Sequence, residues 1–148
     1  MLLGLVLFVV LISFVGAKLE INIEGKHGWA EGLPTWKVKN SLTRFLWGER
    51  AVTGYHLWFL AFNFMWSQLP FVLGLPWKLE TELLIFAAFC IAIILEDFFW
   101  FVFNPHFGIS KFNSKHANWH LGWVGFVPNL YIKLFAFSAI LIFLSFFV

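Results

Sequence analysis

The sequence predicts an all-α integral membrane protein of four transmembrane helices, with a short interfacial helix between the first and second. Of its 148 residues, 61% are hydrophobic and only 12% are charged, whereas an average soluble domain has roughly 45–50% apolar and about 25% charged residues. The mean hydropathy is +0.83. The apolar residues fall into long runs separated by polar connections. A soluble domain of this size cannot bury so much apolar surface.

The first apolar run, residues 2–18, is expected to form a retained transmembrane helix. A signal peptide is the alternative, because Val15–Ala17 resembles a cleavage site, but no positive charge precedes the run. The interfacial segment 19–50 follows and opens at Glu20–Glu24 with the alternation of a short strand. From Thr35 its apolar residues fall on one helical face. That face suits a helix lying in the membrane interface, or one packed on the protein's own bundle.

Three further transmembrane segments are expected at residues 51–75, 83–103 and 129–148. A loop of residues 104–128 joins the last two and is expected to be cytoplasmic. The sequence contains no internal repeat, low-complexity tract or polar stretch long enough for a separate soluble domain. The whole chain, 1–148, is therefore predicted to be a single membrane domain.

The distribution of Lys and Arg predicts the orientation of the helices. Six of the ten cations lie in the first connection, three lie in or beside the third, and Lys78 alone lies in the second. Because cytoplasmic connections carry an excess of Lys and Arg, the first and third connections are expected in the cytoplasm and both termini outside. The expected location is the plasma membrane. All five histidines and the acids Glu96 and Asp97 then lie toward the cytoplasmic leaflet.

The adjacent acids Glu96 and Asp97 are the strongest indication of a functional site. The apolar run before them, Leu83 to Leu95, would cover only about 20 Å of helix, which is too short for a hydrocarbon core of about 30 Å. The helix is therefore expected to continue through both acids. Acids at membrane depth usually face the interior of a bundle and have partners. The alternative is a tilted or short helix whose acids are hydrated and paired with Lys133 or with a cation of a loop.

Histidines supply the other candidate ligands. His116 and His120 have the i, i+4 spacing that places two imidazoles on one face of a helix and suits a metal ion. His56 falls on a helical stripe with Asn63 and Ser67, which is expected to face the bundle interior. Two further histidines are weaker candidates for the same metal site: His106 and His27.

The sequence leaves three functions open. In the first, a divalent metal (iron, zinc or manganese) is bound by carboxylates and imidazoles, and the protein is a small membrane metalloprotein, possibly acting as an enzyme on a lipid or other membrane-soluble substrate. The expected metal ligands are His56, Glu96, Asp97, His116 and His120. In the second, the protein is a non-catalytic accessory subunit or scaffold that packs against other membrane subunits. In the third, Glu96 and Asp97 serve a transporter or proton pathway. The expected surroundings are the lipid bilayer, and no run of Lys or Arg indicates nucleic acid.

Overall fold

Helices dominate the computed structural model, which describes residues 2–43, 51–120 and 122–148 and is 64% helical. The helices are α1 (Leu2–Glu24), α2 (Gly54–Ser67), α3 (Leu69–Val72), α4 (Leu79–Phe103) and α5 (Asn129–Ser145). The strands, each two residues long, are β1 (Lys37–Val38), β2 (Val52–Thr53), β3 (Trp123–Val124) and β4 (Val127–Pro128). A 3-10 turn lies at Ile109–Lys111, and residues 41–43 are also helical.

Two helices, α1 and α4, are long and apolar enough to cross a membrane. They contain 23 and 25 residues, or about 35 and 38 Å at about 1.5 Å per residue, against a hydrocarbon core of about 30 Å. The apolar helix α5 has 17 residues and α2 has 14, so both are shorter than that core. The prediction of a mostly helical chain is therefore confirmed, and by length and composition two of its helices could cross a membrane.

Two boundaries differ from the expected ones in ways that affect the site. α1 continues to Glu24 rather than ending at residue 18, so the alternation at Glu20–Glu24 belongs to a helix and the strand expected there is wrong. The second segment, expected at 51–75, is divided: α2 ends at Ser67, and Pro70 lies in the first turn of α3. Proline has no N–H to donate, which a first turn tolerates and a helix interior does not.

The first connection contains a strand near the expected start of an interfacial helix. Lys37 and Val38 form β1, which pairs antiparallel with β2 so that Lys37 lies opposite Thr53. Gly54 N extends this pairing by donating to Trp36 O over 2.9 Å. The expected helix is therefore wrong at its start, because these backbone groups bond to the chain entering α2. Residues 41–43 are helical, and the remainder of the expected helix, 44–50, lies outside the described residues.

The central helix α4 packs along α1, α5 and α2. Ser13 Oγ lies 3.1 Å from Ala92 O, and near the other end Asn104 Nδ2 donates to Gly25 O over 3.0 Å. Both contacts join residues 79 positions apart, so α1 and α4 run parallel. Gly16 permits their close approach, since a Cβ there would come within 3.1 Å of the Glu96 side chain.

The other two packed helices run antiparallel to α4. Phe86, near the start of α4, packs edge-on against Phe64 of α2 and Phe137 of α5. At the opposite end of α4, the Tyr131 hydroxyl in the first turns of α5 donates to Asp97. The last turns of α1 and α4 therefore meet the first turns of α2 and α5 at one end of the bundle, which we call the site end.

The third connection folds over the site end as a layer of aromatic rings. Trp119 stacks on the fully buried Phe101 with ring centres 5.6 Å apart. A Cβ at Gly28 would lie 2.6 Å from the Trp119 ring, so only glycine lets the two connections approach here. Ala117 is also completely buried. The connection is therefore part of the protein core and fixes the position of the residues that follow it.

Candidate metal centre

Polar side chains from four helices and the third connection meet at the site end. α1 and α4 each contribute two acids, α2 a tyrosine and a histidine, α5 a tyrosine, and the connection a histidine. We call this group the polar cluster: Glu20, Glu24, Tyr55, His56, Glu96, Asp97, His120 and Tyr131. Its donors include four carboxyl groups and two imidazoles, which are common ligands of divalent transition metals.

The tightest part of the polar cluster is formed by Glu20, Glu24 and His56. One ligand atom from each lies within 4.8 Å of the other two. His56 Nε2 is 3.8 Å from Glu20 Oε1 and 3.7 Å from Glu24 Oε1. Two ligands bonded to one metal at roughly 2.0–2.2 Å are about 3.0–3.4 Å apart at octahedral or tetrahedral angles. Shifts of a few tenths of an ångström would bring His56 Nε2 to such a separation from each of the two carboxylates.

Thr53 holds the His56 ring in the orientation that a metal ligand needs. It caps the N-terminus of α2 by accepting from His56 N over 3.2 Å, and its Oγ1 lies 2.6 Å from His56 Nδ1. When Nδ1 carries the ring proton and donates to Thr53, the lone pair of Nε2 faces the two carboxylates. Histidine ligands commonly fix their second nitrogen by such a hydrogen bond. Thr53 is completely buried, so water does not compete for this bond.

The loop after α1 closes over the same three residues. Ala30 N donates to Glu24 Oε1, and the Trp29 ring stacks on the His56 ring with centres 4.4 Å apart. Both loop residues have positive φ, 58° for Trp29 and 50° for Ala30. Left-handed backbone costs non-glycine residues roughly 1–3 kcal/mol and is concentrated at functional sites. The strained loop directs a backbone donor and an aromatic face onto the candidate ligands.

The remaining members extend the polar cluster across α4 to α5. The Glu96 carboxyl lies within hydrogen-bonding range of Glu20. Asp97 Oδ2 accepts from the Tyr131 hydroxyl and lies 3.1 Å from His120 Nε2. This places one of the paired acids against a histidine of the third connection, as the sequence predicted. Glu20 and Asp97 also interact electrostatically, so the two halves form one cluster.

Histidines are the basic side chains that lie closest to the acids of the polar cluster. Within the described residues, the ion-pair contacts of Glu20, Glu24 and Asp97 are all to His56 or His120, and Lys133 is exposed instead. The alternative in which the acids pair with Lys133 is therefore wrong for the described residues. Glu20 and Glu24 are each only 7% exposed. Buried carboxylates need compensation from a cation, a proton or several hydrogen bonds.

The structure separates the histidines that the sequence grouped together. His116 is exposed and its Nδ1 lies 2.9 Å from Asn113 Oδ1, whereas His120 is buried. Their segment consists of turns, so the helical face expected from the i, i+4 spacing does not exist. His106 and His27 are exposed as well. Of the predicted ligands, the polar cluster contains four: His56, Glu96, Asp97 and His120.

Sequence reasoning missed two carboxylates of the tightest group. Glu20 and Glu24 were assigned to a strand, where they would share a face but remain in a surface connection. The available signal was their i, i+4 spacing at the end of an apolar helix, which aligns them on one helical face. Tyr131 was assigned to a helix-packing stripe with Ser138 and Ser145. All three are buried, but Tyr131 also donates to Asp97.

An apolar groove lies beside the polar cluster. It has a volume of about 490 Å³ and is lined mainly by apolar and aromatic side chains, among them Leu33, Trp36, Tyr55, Trp58, Phe59 and Phe62. Tyr55 belongs to both features, because its ring lines the groove and its buried hydroxyl lies near Glu20. Pockets for small molecules typically measure roughly 300–1,000 Å³, so the groove is large enough for an apolar ligand.

Comparison with known proteins gives no relative: no protein family, curated protein or solved structure matches the chain. What the protein does must therefore be inferred from the polar cluster and its surroundings.

Proposed function

We propose that this protein is a small membrane metalloprotein whose divalent metal is bound by Glu20, Glu24 and His56. The observation that carries the proposal is the convergence of one ligand atom from each residue within 4.8 Å. Two carboxylates and one imidazole suit zinc, iron or manganese. Three protein ligands also leave a coordination position for water or substrate, as catalytic metal sites require.

Membrane location is the second part of the proposal. The parallel pair α1 and α4, with α2 and α5 antiparallel to it, has the helix directions of a chain that crosses the membrane four times. The shorter helices α2 and α5 complete these crossings together with their flanking residues. By the distribution of Lys and Arg, the site end faces the cytoplasm and both termini lie outside.

The substrate class follows from the apolar groove next to the metal ligands. A lipid or another membrane-soluble molecule would place its apolar part along Trp58 and Phe62, which are exposed on α2. Its polar part would then reach the Tyr55 side of the polar cluster. A bound metal would supply Lewis acidity or redox chemistry there. The residues of this chain would hold the metal and orient the substrate.

A metal titration tests the proposal. The purified protein in detergent should bind Mn²⁺ or Zn²⁺ with at least one equivalent per chain, and His56→Ala should weaken that binding by at least about 10-fold, because one of three ligands is lost. His27→Ala is the matched control. His27 lies in the loop that follows Glu24 and is exposed, so this variant should bind the metal with the same affinity as the parent.

Two results would contradict this assignment. If the parent protein binds no metal, the accessory-subunit hypothesis takes precedence. If His56→Ala binds metal as tightly as the parent, the ligands lie elsewhere. A proton pathway is less well supported, because the polar side chains away from the site end bond largely to their own helices: Ser13 to Val9, Asn63 to Phe59 and Ser138 to Leu134.

A further inference from the structure

The half of the polar cluster that the proposed metal site does not use has the features of a second site. Asp97 Oδ2 and His120 Nε2 are 3.1 Å apart, which matches the separation of about 3.0 Å expected for two ligands at right angles on one metal. They come from α4 and the third connection, while Tyr131 of α5 donates to the same Asp97 oxygen. Hydrogen bonds of this kind orient metal ligands from outside the coordination sphere.

Two buried polar atoms in this half have no hydrogen-bond partner among the described residues: Glu96 Oε1 and His120 Nε2. His120 is only 9% exposed, and its contact with Asp97 has the distance but not the alignment of a hydrogen bond. A buried polar atom without a partner costs about 1–3 kcal/mol. Both atoms belong to residue types that bind metals, and both lie in the polar cluster.

The charge of the polar cluster indicates how many cations it accommodates. Its four carboxyl groups would carry four negative charges when ionised, and no Lys or Arg of the described residues forms an ion pair with them. Imidazoles must be neutral to bind a metal, so they add no charge. One divalent ion would leave two carboxylates that need protons or further hydrogen bonds for compensation. Two divalent ions would neutralise all four.

We propose that Asp97 and His120 bind a second divalent cation, with Glu96 lying between this pair and Glu20, so that the polar cluster is a dinuclear metal site. This inference rests on the proposed function, because the first ion is the one held by Glu20, Glu24 and His56. The contact between Glu96 and Glu20 joins the two halves and makes either carboxylate suitable as a bridge between the ions. Paired metal ions in proteins are about 3.5–4 Å apart, a spacing that one bridging carboxylate spans.

The types of ligand residue in the polar cluster agree with a dinuclear metal site. Four carboxylates and two histidines from helices are the ligands that dinuclear iron and manganese sites use in helical bundles. The sequence spacing here is different: the acids of α1 are four residues apart and those of α4 are adjacent. One histidine comes from a connection rather than a helix. The similarity thus lies in the number and chemistry of donors and not in a shared motif.

Counting bound Mn²⁺ at equilibrium tests the inference. The purified full-length protein should bind two equivalents. His120→Ala should bind one, because it removes the only imidazole of the second site, and Asp97→Asn provides a second test with nearly unchanged side-chain volume. His116→Ala is the matched control, since His116 is an exposed histidine of the same connection and its loss should leave two equivalents bound.

Electron paramagnetic resonance of the Mn²⁺-loaded protein gives an independent measurement. Two ions about 3.5–4 Å apart interact magnetically, so the parent should lack the simple six-line spectrum of isolated Mn²⁺, and His120→Ala should show it. One equivalent in the parent would overturn the dinuclear site and leave the proposed function intact. No bound metal would overturn both. Two equivalents retained by both His120→Ala and Asp97→Asn would overturn the assignment of these ligands.

Discussion

Thr53 makes two hydrogen-bond contacts at the start of α2 on which the proposed metal site depends. Its hydroxyl accepts from the backbone of His56 and contacts the ring Nδ1 of the same residue. Thr53→Val keeps the shape but removes both bonds, so we expect Mn²⁺ affinity to fall by about 10- to 100-fold, the usual effect of losing a partner that orients a ligand. An equilibrium titration would measure this.

The variant Thr53→Ser distinguishes the loss of the hydroxyl that orients His56 from a change in side-chain packing. Thr53→Ser keeps the hydroxyl and the N-cap of α2, so its Mn²⁺ affinity should stay within about 3-fold of the parent. This change is smaller than the loss expected for Thr53→Val, which removes the hydrogen-bond partner of His56. Equal affinities for Thr53→Val, Thr53→Ser and the parent would show that the ring of His56 is held by other contacts, such as its stacking on Trp29.

The sequence pointed to some residues of the polar cluster and missed others. Glu96, Asp97 and His56 were found because a polar group in an apolar helix is expensive and stands out. Glu20 and Glu24 were missed because alternation of polar and apolar residues fits a strand, and the same five residues also place two acids one helical turn apart. The burial of Ile21, which is 8% exposed, and of the two acids, which are each 7% exposed, shows that this turn belongs to the bundle.

Among the elements, the parallel pair α1 and α4 is joined at its ends by Asn104. This residue is 1% exposed, donates to Gly25 O and accepts from His106 N. Asn104→Ala would leave a buried carbonyl without its donor, so we expect a loss of about 1–3 kcal/mol in the free energy of unfolding. Reversible unfolding in mixed detergent micelles would measure it.

Asn22→Ala is the matched control for this prediction. Asn22 is exposed and donates only to Lys18 O in its own helix, and alanine has the higher helix propensity. The free energy of unfolding of Asn22→Ala should therefore be equal to or slightly above that of the parent. If Asn104→Ala were no less stable than Asn22→Ala, the bond across the two helix ends would contribute nothing to folding.

Helix ends were harder to predict than helix existence. The apolar runs located α4 and α5 because continuous hydrophobicity is a local property of the sequence. The ends depend on contacts that the local pattern does not contain. α2 starts at Gly54 because Thr53 caps it and β2 pairs with β1. α1 runs to Glu24 because its last turn packs into the polar cluster.

For the whole molecule, the helix directions lead to a test of topology. The site end contains the first and third connections, and the second connection lies at the opposite end of α4. In a Cys90→Ala background, we expect Lys39→Cys and Lys111→Cys to be protected together from a membrane-impermeant maleimide added outside cells. Lys78→Cys should react. Labelling of Lys39→Cys and Lys78→Cys from the same side would contradict four crossings.

The sequence also predicted that histidines and acids share one end of the molecule. That inference used only the number of crossings and the distribution of Lys and Arg, which act over the whole chain. It placed Asp97 near His120 without any motif. It could not separate His116 from His120, because their exposure depends on how the aromatic rings of the third connection pack.

The 79-residue separation between contacting positions of α1 and α4 has a consequence for how the protein is made. During synthesis, Glu20 and Glu24 emerge long before Asp97, His120 and Tyr131. Until α4 has been inserted beside it, the last turn of α1 carries two acids without their bundle partners, and the hydrated membrane surface is where they are least costly. If the polar cluster binds metal as proposed, its complete set of ligands forms only after the chain has been synthesised through the start of α5.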